Sequence, residues 1–377
     1  MFKNISIKKN ISLFLFLFVN FIYGIKYLSR VTDYYFLISI TIIVFYLFIW
    51  KMRNPISKYY KYLGKFNLLL LLLFFVVFYF GFQKIPVETL KVDRWSVISS
   101  FWDNYFGNKY VYFAKSNMNN PPGPMPFYFI LALPFYIIGE LGYFSILGIV
   151  LFFGLLNYKK INTSLQTTAL LLVCSSIFYL HEVICRSNIF LNSSIVLFVL
   201  LIYFEMKKLN LKKLLVSGIL IGLSISTRNV LVIPFIIAFV YELKTKKINF
   251  TQISILGFVA ISSFAITFLP FVWNHFEDFK QMNPFIIQST FLVPLQYTLL
   301  FIGLAFGFGL LSKSISDIYF FSGLNLSISI FIYYLFHIEN IGFYKTFFDS
   351  DADITYFVLC TPFFLYYSLL ETQENKR

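Results

Sequence analysis

Long apolar runs follow one another along most of the chain, and short polar segments separate them. A helix that crosses a membrane needs about 20 mainly apolar residues. Continuous apolar runs, unlike an alternating pattern, favour helices over a membrane barrel. We therefore predict an all-α, polytopic integral membrane protein with about twelve transmembrane helices. The predicted spans are 11–28, 34–50, 66–82, 140–156, 166–181, 190–205, 213–227, 230–243, 251–270, 290–312, 318–336 and 354–370.

One long polar segment, residues 83–124, interrupts this pattern after the third span. We predict that it is the first large extracytoplasmic loop of a single transmembrane domain covering 1–377. The apolar stretch that follows is too long for one straight helix and contains Pro134 and Gly139. We expect residues 125–138 to form a re-entrant or interfacial helix. The alternative is that 125–156 crosses twice, which would invert the sidedness of everything after it.

Composition and charge support a membrane protein. Hydrophobic residues make up 59% of the chain and charged residues 13%, against about 25% charged in soluble domains. The net charge of +14 could suggest nucleic acid as a partner. However, the basic residues cluster just outside the predicted spans, which is the positive-inside pattern, and anionic lipid headgroups account for the excess. We predict no nucleic-acid partner, cytoplasmic N- and C-termini and a cytoplasmic-membrane location.

Ionisable side chains of several kinds collect on the predicted outer face, two of them arginines at the ends of short spans. An arginine at a helix centre costs about 2.5–3.5 kcal/mol on insertion scales, and less near an end. Arg228, beside Asn229, is therefore either a phosphate clamp or a hairpin tip in the headgroup layer. His181, Glu182 and Arg186 occupy another hairpin tip. They either line the same cavity or form a helical Glu182–Arg186 pair that satisfies itself.

The polar loop itself carries candidate catalytic groups. Asp93 lies near the predicted membrane surface, where a carboxylate could act as a general base towards an acceptor. The adjacent Arg94 could hold it ionised or bind a phosphate; the alternative is an ordinary helix cap. Asp103 is a second acid in the loop. Asn120 precedes a proline-rich step that fixes an extended entry into the next helix.

The order of these features resembles the GT-C glycosyltransferases, in particular the branch of protein O-mannosyltransferases and lipid A aminoarabinose transferases. An acid opens the outer loop at Asp93, and the step Asn120-Pro121-Pro122 leads into an aromatic-rich helix. Further on, Thr227-Arg228 precedes an apolar run to Pro234. That family typically has Asp-Glu in the loop. Arg94 stands where its second acid would be, so only Asp93 maps onto the motif.

The resemblance implies a GT-C-like fold and transfer of a sugar from a polyprenyl-phosphate donor to a glycan, lipid or protein acceptor at the outer face. Membrane lipids would surround the donor. Charge grows on the leaving phosphate, which calls for preorganised cations. Arg228 and Arg186 are the first candidates and Arg94 is the third. Asp93 would take the acceptor proton, and Asp103 would orient the acceptor or replace Asp93.

Two alternatives use the same residues. One is a transporter or flippase for lipid-linked glycans, which needs no general base; the other is a glycan polymerase or ligase. Transporters often have inverted repeats and bind at the midplane, and neither feature is evident here. Asp349, Asp351 and Asp353 are weak candidates for a divalent cation, the one cofactor considered, because hard cations prefer several carboxylates. A solvated turn is the competing interpretation of that loop.

Overall fold

The computed structural model describes residues 2–206, 210–290, 294–349 and 353–374. Within these ranges every regular element is helical, which confirms the predicted all-α class. The reason is that backbone N–H and C=O groups in lipid must find partners within the same apolar segment. A large apolar core joins most of the helices, and a second, smaller cluster packs around the loop at 83–124.

Nineteen α-helices follow one another in the described ranges. They are α1 Phe2–Leu28, α2 Tyr35–Ile56, α3 Tyr60–Lys84, α4 Arg94–Phe106, α5 Pro126–Ile138, α6 Gly142–Tyr158, α7 Thr163–Ser175, α8 Ile177–Ile184, α9 Ile189–Glu205, α10 Leu211–Ile225, α11 Ile233–Lys244, α12 Phe250–Ile266, α13 Leu269–Val272, α14 Phe276–Gln281, α15 Pro284–Thr290, α16 Leu295–Leu311, α17 Ile315–Ile341, α18 Phe343–Phe347 and α19 Thr361–Glu374. A short 3-10 helix, Ile354–Cys360, leads into α19.

Length and composition identify six candidate membrane spans in the described part of the chain. The bent pair of α7 and α8 makes a seventh if it counts as one span, and four apolar helices of 10–17 residues are shorter. A helical membrane protein is therefore supported, whereas the count of about twelve crossings stays a prediction. The six are Ile7–Leu28, Tyr35–Tyr59, Tyr62–Lys84, Phe250–Val272, Ile315–Ile341 and Ile354–Glu374.

Polar contacts at the helix ends fall into two groups. One group joins segments that we predicted to lie inside, through the pairs Lys8–Asp317, Lys159–Glu205 and Asn162–Gln373. The other joins segments predicted to lie outside, through Arg30 and the Phe348 carbonyl, Arg186 and the Ile85 carbonyl, and Tyr110 and the Met282 carbonyl. The division into two faces therefore agrees with the helix contacts. Which face is cytoplasmic rests on the charge argument alone.

The predicted span 166–181 is not one straight helix. It breaks into α7 and α8, which meet at an angle of 58° at the extended residue Ser176. Neighbouring helices satisfy the backbone groups that the break frees. Asn20 Oδ1 accepts a hydrogen bond from the Ile177 N–H at 3.1 Å, and Tyr46 Oη donates to the Ser175 carbonyl at 2.7 Å. This substitution of side chains for backbone partners is what allows a broken helix among apolar neighbours.

The stretch 125–156 forms two helices, α5 and α6, which meet at Gly139 with φ of 85°. The 13 residues of α5 rise about 20 Å, less than the hydrocarbon thickness of about 30 Å. It packs against α4, and the rings of Phe101 and Phe129 stack at 3.7 Å. The interfacial or re-entrant role of 125–138 stays a prediction.

Candidate functional site

Asp93 lies immediately before α4, and its carboxylate does not cap that helix. Instead, Asn120 Nδ2 donates a hydrogen bond to Asp93 Oδ2 at 2.7 Å. Asn120 is fixed in turn by Ser116, whose N–H donates to the Asn120 carbonyl at 2.9 Å and whose hydroxyl accepts from the Asn120 N–H at 3.1 Å. Two predicted site residues therefore meet across 27 positions of sequence, and the half-buried carboxylate is held in one orientation.

Arg94 joins the loop at 83–124 to the beginning of the candidate span Ile354–Glu374. It forms an ion pair with Asp353, and its Nη2 donates to Thr355 Oγ1 at 3.1 Å. The guanidinium carbon lies 5.7 Å from the ring centroid of Tyr356. Burial opposes the charge on Arg94, but Tyr356 and Asp93 outweigh it and raise the pKa of this residue. Arg94 is therefore a permanent cation beside the Asp93–Asn120 pair.

Asp353 does not belong to a metal site in this arrangement. It pairs with Arg94 and accepts a hydrogen bond from the Thr355 N–H at 2.8 Å. Asp349 is exposed, and Asp351 lies outside the described residues. Among the residues described, no group of three or more His, Cys, Asp or Glu side chains could hold a metal ion. For Asp353, the weak metal assignment is replaced by a role as the counter-ion of Arg94.

Arg228 approaches the same place from the junction of α10 and α11. Only 8% of it is exposed, and its guanidinium carbon lies 5.7 Å from the rings of both Tyr128 and Tyr356. The charges of both guanidinium groups also act on the Tyr356 hydroxyl. No salt bridge in the described ranges includes Arg228, and its buried Nε has no hydrogen-bond partner there. We call Arg94, Tyr128, Arg228 and Tyr356 the arginine–tyrosine cluster.

The short helix α8 supplies the wall behind this cluster. Glu182 is 2% exposed, and its Oε1 accepts a hydrogen bond from the Phe190 N–H at 2.8 Å. Its other oxygen, Oε2, is buried without a hydrogen-bond partner among the residues described. The charges of Arg228 and Arg94 both reach this carboxylate. Because buried polar atoms normally have partners, the two unsatisfied atoms Arg228 Nε and Glu182 Oε2 indicate a place for a ligand or water.

Arg186 does not take the role expected from the sequence. Its Nε and Nη2 form two bonds of 3.1 Å with the carboxylate of Glu140. Its remaining donors reach the carbonyls of Ile184 at 2.6 Å and Ile85 at 3.2 Å, and its charge lies 4.6 Å from the Phe82 ring centroid. The expected Glu182–Arg186 pair is therefore wrong. The guanidinium is committed to protein partners, which leaves the phosphate-ligand hypothesis for Arg186 without support.

Three other predicted residues lie outside the arginine–tyrosine cluster. Asp103 is three turns along α4 from Asp93, a rise of about 15 Å, and accepts a hydrogen bond from Tyr136 Oη at 2.6 Å. It is too distant to replace Asp93. Asn229 is exposed. His181 stacks on Tyr27 with ring centroids 3.9 Å apart, on the α1 side of α8.

Sequence reasoning missed the two tyrosines of the cluster and one lysine. No sequence motif distinguishes Tyr128 and Tyr356 from the other tyrosines among the 27 in the chain. Only their contacts with the arginines in the folded structure identify them. Lys26 is different, because it lies inside the predicted span 11–28 and is only 1% exposed. An ionisable residue within a span is a functional candidate by default, so the sequence did contain a signal for it.

The arrangement combines an oriented carboxylate with a buried cation that has no carboxylate counter-ion among the described residues. A carboxylate within reach of an acceptor can remove a proton, and preorganised cations stabilise an anion that forms in a reaction. Comparison with protein-family models, curated proteins and solved structures finds no match to this chain. The chemistry of these residues is therefore the basis for assigning a function.

Proposed function

We propose that this chain is a GT-C-like glycosyltransferase that uses a polyprenyl-phosphate sugar at the outer face of a cytoplasmic membrane. The observation that carries the proposal is Arg228, a buried guanidinium with no salt bridge among the described residues and with an unsatisfied Nε. A buried charge without a counter-ion is costly. An anionic ligand would remove that cost, and the phosphate of the donor is such a ligand.

The two arginines would share the phosphate unequally. Arg94 already pairs with Asp353, so part of its charge is neutralised. Arg228 lacks such a pair in the described ranges and would be the main phosphate ligand, and the Tyr356 hydroxyl between the two guanidinium groups would add a hydrogen bond. Because the phosphate gains charge as it leaves, fixed cations at this position stabilise the transition state more than the ground state.

Asp93 would act as the general base. The acceptor oxygen attacks the anomeric carbon of the sugar, the bond from that carbon to the phosphate oxygen breaks, and the phosphate leaves with the bonding electrons. The acceptor proton passes to the Asp93 carboxylate. Asn120, at 2.7 Å, holds one carboxylate oxygen so that the other faces the acceptor. This division of roles follows from the contacts of each residue and needs no second acid.

The proposal is tested by release of lipid phosphate in proteoliposomes loaded with radiolabelled undecaprenyl-phosphate hexoses and pentoses. Isolated membranes would supply acceptors. We expect Asp93→Asn to reduce release by on the order of 10²- to 10⁴-fold, as for loss of a general base. Asp103→Asn is the matched control and should retain most activity, because it lies three turns away.

Three results would contradict the proposal. Release by the Asp93→Asn variant at the parent rate would remove the general base. Movement of intact donor across the bilayer, with no release by the parent protein, would favour the flippase alternative. Elongation of a lipid-linked glycan without release of a monophosphate lipid would favour a polymerase or ligase.

A further inference from the structure

The hydroxyl proton of Tyr128 has no acceptor among the residues described. Tyr128 is 3% exposed, and the one hydrogen bond of its Oη in these ranges joins it to Asn188 Nδ2 at 3.1 Å. Asn188 is itself 1% exposed. A buried hydroxyl normally donates as well as accepts. The direction of the bond with Asn188 therefore decides whether the Tyr128 proton is free for a ligand.

A second contact of the Asn188 amide fixes that direction. The atom that contacts Tyr128 also lies 3.3 Å from the Arg186 carbonyl oxygen, which can only accept, so this atom is the amide nitrogen. The carbonyl oxygen of the same side chain accepts a hydrogen bond from Ser145 Oγ at 3.1 Å. Asn188 therefore donates to Tyr128, and the phenol proton must point to a different acceptor.

Backbone hydrogen bonds hold Tyr128 next to Arg228. The Tyr128 N–H donates to the Ser226 carbonyl at 3.2 Å, and the Met125 N–H donates to the Thr227 carbonyl at 3.4 Å. The beginning of α5 is thus joined to the two residues that immediately precede Arg228. The guanidinium carbon of Arg228 lies 5.7 Å from the Tyr128 ring centroid. The contact between these two side chains is therefore built into the backbone.

Two donors on these neighbouring side chains lack acceptors in the described ranges. One is the buried Arg228 Nε, and the other is the Tyr128 hydroxyl. Glu182 does not supply an acceptor for either, because its Oε2 receives no hydrogen bond among the residues described. A phosphate group has several oxygens that act as strong acceptors. One phosphate can therefore accept from both donors.

We propose that Tyr128 donates a hydrogen bond to the phosphate of the lipid-linked sugar, and that Asn188 is a positioning residue that aims this hydroxyl. The inference rests on the proposed function for the phosphate at Arg228, and it adds a neutral donor to the two arginines. Because Asn188 holds the phenol oxygen as an acceptor, the proton already points away from the protein partner before the phosphate binds. Such preorganised donors need no rearrangement when the anion arrives.

The test is equilibrium binding of undecaprenyl phosphate to the purified full-length protein in dodecyl maltoside, which contains no phosphate. Tyr128→Phe keeps the ring and removes the hydroxyl. We expect it to weaken binding by about ten- to a hundredfold, as for a hydrogen bond to a charged group. Tyr136→Phe on the same helix is the matched control. Its hydroxyl already donates to Asp103, so this variant should bind like the parent.

A double-mutant cycle separates positioning by Asn188 from general support of the fold. We expect Asn188→Leu to weaken binding several-fold when Tyr128 is present and to have no further effect in the Tyr128→Phe background. Equal weakening in both backgrounds would overturn the positioning role. If Asn188→Leu does not fold, Ser145→Ala replaces it in the cycle. That substitution removes the hydrogen bond to the Asn188 carbonyl oxygen, and its effect should likewise depend on the Tyr128 hydroxyl.

A phospholipid headgroup carries the same phosphate chemistry, so binding of phosphatidylglycerol is measured with the same variants. A loss of undecaprenyl phosphate binding in Tyr128→Phe supports the lipid-linked donor as the source of the phosphate. A loss with phosphatidylglycerol alone would assign the hydroxyl to a membrane headgroup and overturn the inference.

Parent-like binding of undecaprenyl phosphate by Tyr128→Phe, while Arg228→Met binds it weakly, would overturn the inference and leave the proposed phosphate site in place. Failure of the proposed function looks different, because Arg228→Met would then bind as tightly as the parent. That result would overturn the phosphate site and the role of Tyr128 together.

Discussion

The ion pair between Arg186 and Glu140 gives a sharp test of whether Arg186 stabilises the fold or binds substrate. The two side chains are 1% and 19% exposed, and Arg186 also donates to two backbone carbonyls. Removing one partner of a buried pair costs about 3–5 kcal/mol. Because Glu140 is partly solvated, we expect the lower end, about 3 kcal/mol, for Arg186→Met.

The assay is thermal and denaturant unfolding of the purified protein in detergent, as a double-mutant cycle with Glu140→Gln. The two single variants should each lower the melting temperature by several degrees, and the double variant should lose less than their sum because the partners are coupled. Undecaprenyl phosphate affinity, measured in parallel, should be unchanged in variants that remain folded. Unchanged stability with weakened lipid binding would refute the structural role and restore Arg186 as a phosphate ligand.

Two further predictions concern packing and pH. A Cβ at Gly222 of α10 would lie 2.2 Å from the Ala260 carbonyl oxygen of α12, whereas a Cβ at Gly257 would have no atom within 4 Å. Gly222→Ala should therefore lower the free energy of unfolding by about 1–3 kcal/mol. Gly257→Ala is the matched control and should leave the denaturant unfolding curve nearly unchanged. Burial, and secondarily Asp278, raises the pKa of Tyr110, whose hydroxyl donates to the Met282 carbonyl at 2.7 Å. The resulting stability is fully present below the unfolded pKa of about 10 and is lost as pH rises towards the higher folded value. A pH titration of unfolding should therefore show a smaller loss in Tyr110→Phe than in the parent, since other buried tyrosines such as Tyr112 still contribute.

The sequence pattern was sufficient for properties that depend on local composition. Apolar runs predicted helices, and basic clusters predicted which helix ends lie together, because hydropathy and charge act on each segment separately. The division of 125–156 into two helices was also predictable, since Pro134 and Gly139 interrupt an apolar stretch too long for one helix. The positions of these two residues were informative without any tertiary contact.

Features that depend on partners from other helices were not predictable. The break at Ser176 requires Asn20 and Tyr46, which come from two different helices. In the same way, Arg186 pairs with Glu140, 46 residues away, and not with Glu182, which lies four residues before it in the sequence. Spacing along one helix identifies which pairs are possible, and the packing of other helices decides which pair forms.

The residues of the candidate site were predicted from the sequence better than their contacts, because those contacts depend on how separate helices pack. Asp93 and Asn120 were each singled out, and the fold joins them. Arg94 and Arg228 were singled out as separate cations, but their meeting at Tyr356 depends on the segment beginning at Ile354 approaching the loop at 83–124. The acids near 350 were grouped by sequence alone, and for Asp353 the contact with Arg94 gives a different role.

The most direct test of the central claim is the affinity of undecaprenyl phosphate for the parent protein and for Arg228→Met. The methionine retains an apolar stem between Tyr128 and Tyr356 and removes the charge, so the fold should persist. We predict at least a tenfold loss of affinity in Arg228→Met, with Arg186→Met matching the parent. Equal affinity of parent and Arg228→Met would contradict the assignment of a phosphate site to the arginine–tyrosine cluster.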